Sequence, residues 1–331
     1  MNIGTAWDLV GKTPLVYIRS LSEITGCRIY GKAEFLNPGG SVKDRAAKGM
    51  ILDAEQRGLI QPGSMLVEGT AGNTGIGLAT LAASRGYKTL IVMPDNQSKE
   101  KYELLEALGA ELIRVPPVPF ANPNHFYHRA KHEASLRPGA YWTNQFENPA
   151  NGNYHFQTTG PEIWQQAEGK VDIFTCAVGT SGTMSGVSRY LKKVYPEVQI
   201  QLAEPYGSGM YSFLQTGRIE TEGSSITEGI GIMRVTENFR QALVDAAMRI
   251  SDQEVINMLY HLAENDGLLL GTSSGINVSA AYRLAMENAG SGKTIVTILC
   301  DHGSRYASRI YNKKWLEEKS LVPNKIVRTV A

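Results

Sequence analysis

The sequence predicts an α/β fold with mostly parallel sheets covered by helices on both faces. Three observations carry that prediction. Short apolar runs of strand length alternate with stretches of helical spacing along most of the chain. The runs Met65 to Glu68, Ile173 to Val178 and Leu268 to Leu270 each end in a cluster of small residues that opens a helix. At 331 residues there is material for two packed domains of ordinary size.

In chain order, Gly11-Lys12-Thr13-Pro14 is a turn and Leu15 to Ile18 alternates as a strand. Arg28 to Phe35 is a second strand, and Asn37-Pro38-Gly39-Gly40 is a turn that delivers Ser41 as a helix N-cap. Ala46, Ala47, Met50, Ile51 and Ala54 then mark the buried face of a helix that stops near Gly58. Met65 to Glu68 is a strand, Ile76 to Arg85 a helix, Thr89 to Met93 a buried strand and Ser98 to Leu108 a helix. Glu111 to Val115 is a strand, Pro116 to Pro123 a proline-rich connection and His125 to Arg137 a helix. After Asn148, Pro149 and Ala150 a long helix from about Gly152 to Glu168 marks a domain crossover. Ile173 to Val178 is an apolar strand followed by a helix to Lys193, then the strand Ile200 to Glu204 and the helices Asp252 to Asn265 and Ile276 to Glu287. Thr294 to Cys300 has the apolar pattern of a strand in the middle of a parallel sheet. Only the tail after Leu321 is expected to be loosely ordered.

Composition excludes several classes of function. The net charge is +1 without a run of like charges, so there is no electrostatic footprint for nucleic acid or an anionic membrane. Cys27, Cys176 and Cys300 are odd in number and far apart, which signals neither a disulfide framework nor a metal site. No apolar run is long enough to span a bilayer, and Met1 to Thr5 is not the start of a basic leader. The expectation is a cytoplasmic protein whose partner is small.

Lys43 is a candidate for the chemistry, the alternative being a solvated lysine on an amphipathic helix. It falls in the first turn of its helix, beside the positive dipole end, where a cation is disfavoured and a free amine for imine chemistry is favoured. Gly179-Thr180-Ser181-Gly182-Thr183 follows an apolar strand and opens a helix, which makes it an anion site, without the Gly-Lys-Ser/Thr of a P-loop. Thr70, Ala71, Gly72, Asn73 and Thr74 present amides and side chains suited to a carboxylate or a phenolic oxygen. The glycines there run GxxGxG, not the GxGxxG of a dinucleotide site. Gly271 to Gly275, with Ser273, offers hydroxyls but no acid to a heterocycle nitrogen.

The order of these motifs resembles the cysteine synthase (O-acetylserine sulfhydrylase) and cystathionine β-synthase family of fold-type II pyridoxal-phosphate enzymes. The likeness runs from Gly11-Lys-Thr-Pro-Leu15 to Arg305-Tyr306 and includes Asn37 to Arg45, Thr70 to Gly75, Gln145 to Ala150, Thr158 to Glu162, Gly179 to Thr183, Glu228 to Gly231 and Gly271 to Gly275. The resemblance implies two three-layer αβα domains like those of the tryptophan synthase β-subunit. Residues 1–149 would be mainly a smaller, mobile domain, with strands near 13–35 crossing to the other, and residues 150–331 a larger domain that holds the cofactor phosphate. It implies pyridoxal 5'-phosphate as cofactor, no metal, and a homodimer. Lys43 would form the imine and act as base, Asn73 would face the ring oxygen, Gly179 to Thr183 the phosphate and Ser273 the pyridine nitrogen. Thr70, Ala71, Gly72, Thr74, Gln145 and Gly229 would surround the substrate. The implied reaction makes L-cysteine from O-acetyl-L-serine and sulfide by β-replacement through an aminoacrylate. A neutral Ser273 suits it, because a weak electron sink favours β-elimination over longer-lived carbanions.

The sequence also departs from the family pattern. Ala71 stands where a serine is usual, Ser181 where glycine is usual, which requires a negative φ at that position, and Arg234 lies on the loop after Gly229. His302, just past the last core strand, is a possible acid/base group. These changes keep L-cysteine desulfhydrase, which releases sulfide, pyruvate and ammonia, as an alternative. Cystathionine β-synthase-type condensation and a binding module without turnover are further ones.

Overall fold

The computed structural model describes residues 4–326. Its strands are, in chain order, β1 (Leu15–Tyr17), β2 (Arg28–Ala33), β3 (Met65–Gly69), β4 (Lys88–Pro94), β5 (Glu111–Val115), β6 (Ala140–Trp142), β7 (Ile173–Ala177), β8 (Gln199–Pro205), β9 (Ala246–Ile250) and β10 (Thr294–Leu299). Among the helices are α1 (Arg19–Thr25), α2 (Lys43–Gln56), α3 (Asn73–Arg85), α4 (Lys99–Ala107), α5 (Phe126–Ser135), α6 (Pro149–Gln157), α7 (Thr159–Gln166), α8 (Gly182–Val194), α9 (Met210–Thr216), α10 (Glu237–Arg240), α11 (Asp252–Asp266), α12 (Thr272–Glu287) and α13 (Lys313–Glu318).

Two sheets result, a six-stranded one in the order β1-β2-β10-β7-β8-β9 and a four-stranded one in the order β5-β4-β3-β6. All pairings are parallel except β1 with β2. The apolar strand β10 is buried along its whole length between β2 and β7, where the sequence pattern puts it. Its alternate residues serve two cores. Ile295 and Leu299 pack with α11 and α12, and Val296 and Ile298 pack with α8 on the opposite face. The amino-terminal strands β1 and β2 belong to the six-stranded sheet.

Three expectations need correction. The strand from Arg28 ends at Ala33, and the chain tightens into a 3-10 turn at Glu34–Leu36, because the Glu34 carboxylate turns inward onto the Arg45 guanidinium (2.8 Å). The long helix near 152–168 is two helices, broken at Thr158 with φ −127° and ψ −66°. Pro161 has no N–H to offer the Gln157 carbonyl, so the ladder cannot run through. Ser41 is not the N-cap of α2. That position is Val42, and the Ser41 hydroxyl accepts from Lys43 N at 3.2 Å. The short elements α1, β6 and β9 leave no periodic signal of their own.

Under the start of α2 lies a buried ionic cluster. Arg45, with a fully buried side chain, reaches both Glu34 and Glu162 (2.7 Å), and Lys32 also reaches Glu162 (2.7 Å). Burial raises the Glu34 pKa, but the charge and hydrogen bonds of Arg45 outweigh it and leave the carboxyl below its ordinary value.

Residues 322–326 have no regular structure. The rest of the expected loose tail, and Met1 to Ile3 of the leader argument, lie outside the described residues. Among the described residues no helix is long and apolar enough to cross a membrane.

Candidate active site

Helices α2, α3, α8 and α12 all begin at one cavity of about 410 Å³. Its lining brings together Lys43, Thr70 to Thr74, Gln145, Gly179 to Thr183, Gly229 and Ser273. These are all the expected site residues but one. His302 is not in the lining; it caps the 3-10 turn Gly303–Tyr306, with Nδ1 accepting from Ser304 N (3.2 Å) and its ring 6.3 Å from that of Phe35.

Lys43 opens α2 half-buried, as its position after the glycine turn predicts. Among the described residues its Nζ has neither a hydrogen bond nor an ion pair, unlike the other cations of the lining. Lys101 is paired with Glu228 (2.6 Å), and Arg234 with Glu147. The Arg234 guanidinium also lies 4.4 Å from the Phe120 ring centroid, 4.9 Å from Tyr127 and 5.0 Å from Phe146, forming part of an aromatic rim.

The loop before α8 is a built anion cradle. Gly179 passes so close to the Gly229 backbone that a Cβ would sit 2.4 Å from its carbonyl oxygen. Ser181 does not have the negative φ that the sequence reading required. It is left-handed, with φ 70° and ψ 2°, and caps α8 with its hydroxyl buried and without a protein partner. The neighbouring side chains are fixed from behind. Thr180 Oγ1 accepts from Asn151 Nδ2 (3.0 Å), and Thr183 Oγ1 contacts His155 Nε2 (3.2 Å). Burial, then the nearby Arg45 charge, lowers the His155 pKa to about 3, so this ring is neutral. A strained, orphaned serine hydroxyl at a helix N-terminus, surrounded by small residues, fits a phosphate. With the unpaired Lys43 amine and Ser273 in the same cavity, the residues fit pyridoxal phosphate.

The loop before α3 is supported from below by a carboxylate that sequence reasoning noted but gave no role. Glu68 is fully buried and accepts from Gly69 N (3.0 Å), Gln145 N (3.0 Å), Gln145 Nε2 (3.3 Å) and Thr143 Oγ1 (2.5 Å). Burial raises its pKa to about 7 against these donors. Gln145 is thereby held inward. Its Nε2 also donates to Gly69 O (2.9 Å), and its Oε1 accepts from Thr74 Oγ1 (2.5 Å). Both amide groups of Gln145 are therefore engaged with the 68–74 segment. Where the six-stranded sheet meets the cavity, Cys176 and Cys300 join the lining, and burial raises the Cys300 thiol to about 11.

Residues 6–301 match the family described as pyridoxal-phosphate dependent enzyme. Cysteine synthase 1 of Neurospora crassa is 54% identical over 95% of this chain and 84% of its own length. The crystal structure of the O-acetylserine dependent cystathionine beta-synthase from Helicobacter pylori is 35% identical with a TM-score of 0.86, covering 94% of this chain and 100% of that one. A hydrogen sulfide-producing enzyme from Fusobacterium nucleatum is 34% identical with a TM-score of 0.84, covering 92% and 99%.

Two predictions come from this geometry. Ser181→Gly removes left-handed strain, less the entropy of the glycine, so the cofactor-free protein gains about 0.5 kcal/mol in denaturant unfolding. The same variant loses a phosphate donor and binds pyridoxal phosphate about fivefold more weakly by absorbance titration. An unchanged affinity would refute the hydroxyl's role. For Glu68, the folded pKa lies above the unfolded one, so between about pH 4.5 and 7 the folded state holds the extra proton. Wild type therefore loses stability relative to Glu68→Gln as pH rises through that window, at up to about 1.4 kcal/mol per pH unit. Parallel unfolding curves at each pH would contradict this.

Proposed function

Because the chain belongs to the pyridoxal-phosphate dependent enzyme family, we propose that it makes L-cysteine by β-replacement, joining sulfide to the β-carbon of O-acetyl-L-serine. One observation carries this reading: an unpaired lysine amine, a carboxylate-sized amide loop, an anion cradle and a neutral serine line one cavity. Bound there, pyridoxal phosphate supplies the electron sink that makes the substrate α-proton labile.

The chain's own residues do the rest. Gly179 to Thr183 hold the phosphate through backbone amides and the Ser181 hydroxyl, at the dipole end of α8. Lys43 Nζ would anchor the cofactor and, with substrate in place, would take the proton from the substrate α-carbon. Ser273 and the Cys300 thiol, both uncharged at neutral pH, line the cavity and would leave the sink weak, which favours departure of a β-substituent. Thr70, the 71–73 backbone and Thr74 orient the substrate carboxylate at the start of α3, and Gln145 braces that loop.

Closure of the domain built on β3 to β6 over the substrate would exclude water at this stage. Two contacts join the parts across the cavity and would hold a closed state: Lys101 of α4 meets Glu228, and Arg234 meets the Phe120 and Tyr127 rings. The division at about residue 149 belongs to this proposal. His302 is assigned no catalytic role, given its place as a cap.

A second reading, elimination of sulfide from L-cysteine, is supported by likeness to the Fusobacterium enzyme and by Ala71, which takes a hydroxyl away from the substrate loop. Supplying O-acetylserine with sulfide, then cysteine alone, separates the two. The expected kcat/KM is at least tenfold higher for the first. Faster pyruvate release from cysteine would reverse the assignment, and absence of both activities, with no visible cofactor band to lose on Lys43→Ala, would refute the enzyme reading.

We place the protein in the cytoplasm, supported by three free cysteines that suit a reducing compartment. We also propose a homodimer, supported by the family resemblance and by exposed apolar side chains such as Leu9, Tyr17 on edge strand β1, and Leu36. Light scattering is expected to give about twice the 36.2 kDa chain mass. A mass of one chain at micromolar concentration would contradict it.

A further inference from the structure

Asn73, expected to face the cofactor's ring oxygen, has a side-chain amide that can point either way. Only its N–H edge can donate to that oxygen. Two residues outside the cavity lining decide the orientation. Arg305 Nη1 donates to Asn73 Oδ1 (2.7 Å), and Asn73 Nδ2 donates to Asp301 Oδ2 (2.7 Å). A guanidinium can only donate and a carboxylate only accepts, so the amide is fixed with one Nδ2 hydrogen on Asp301 and the other left for the cavity.

The same guanidinium holds the turn before Lys43. Arg305 Nη2 donates to Gly39 O. A Cβ on Gly40, whose φ is 74°, would lie 2.7 Å from Nη2, so the turn is shaped around this arginine. The segment after β10 reinforces the tie. Val42 N donates to Cys300 O (2.8 Å), Ser41 and Asp301 form a β-bridge, and Tyr306 donates its hydroxyl to Asp301 Oδ2 (2.7 Å). Asp301, Arg305 and Tyr306 are all buried.

We propose that Arg305 and Asp301 are positioning residues. Together they lock the Asn73 amide with its N–H edge toward the cavity, and Arg305 couples that amide to the turn that presents Lys43. The amide that would meet the cofactor's ring oxygen and the turn that presents the imine lysine are thus set by one buried fork, which a lysine's single ammonium does not reproduce. The inference rests on the cofactor reading but not on the choice between synthesis and desulfhydration.

The test is a double-mutant cycle of Arg305→Met and Asn73→Ala in protein reconstituted with pyridoxal 5'-phosphate, read by the dissociation constant and the position of the visible absorption band. Arg305→Met is expected to weaken cofactor binding about tenfold and move the band in the direction that Asn73→Ala moves it. The double variant is expected to lose less than the product of the two single losses, since Arg305 acts in part through Asn73 and in part through the Gly39 turn. If Arg305→Met does not fold, Arg305→Lys, which keeps the charge without the fork, is expected to shift the band the same way. Multiplicative losses in the double variant, or an unmoved band in the arginine variant that folds, overturn the inference alone. A wild-type chain that takes up no cofactor overturns it together with the cofactor reading.

Discussion

Around the cavity the governing constraint is that one amine stays free while the charges near it are paired. Among the described residues Lys101 is matched by Glu228, Arg234 by Glu147, and Arg45 by Glu34 and Glu162, while Lys43 Nζ has no partner. Acids placed to quench a cation are thus engaged elsewhere. Buried ion pairs of this kind add little net stability by themselves, because desolvation opposes their attraction. Their effect here is one of arrangement: they tie together segments that are distant in sequence.

The fold makes that arrangement possible through helix starts. Parallel strands deliver their carboxyl ends to one side, and α2, α3, α8 and α12 begin there, which turns the positive ends of their dipoles toward the cavity. Where side-chain chemistry has to deviate from easy backbone, the deviation is local. Ser181 sits left-handed for the sake of a hydroxyl that no protein atom uses, in a loop otherwise made of small residues. Behind it a neutral His155 and Asn151 hold the two threonines, so the cradle is rigid without adding charge to the anion site.

Support from beneath recurs at each loop. Glu68 collects four donors under the loop before α3, and the segment from Cys300 to Tyr306 braces both Asn73 and the turn before Lys43. The lining residues are drawn from loops distant in sequence, and these buried polar groups convert separate loops into one site.

The sequence by itself determined the parallel α/β class, the burial of β10 and the place of Lys43 at a helix start after a glycine turn. These depend on apolar periodicity and on glycine turns, which are local properties that survive in a linear string. It did not determine the break at Thr158, the left-handed backbone of Ser181, the capping place of His302 or the inward hold on Gln145. Nor did it mark Asp301 and Arg305 as partners of Asn73, more than two hundred residues away. Hydrogen-bond partners of buried polar groups are chosen by which side chains the packed sheets bring within about 3 Å, and that proximity exists only once the chain has folded.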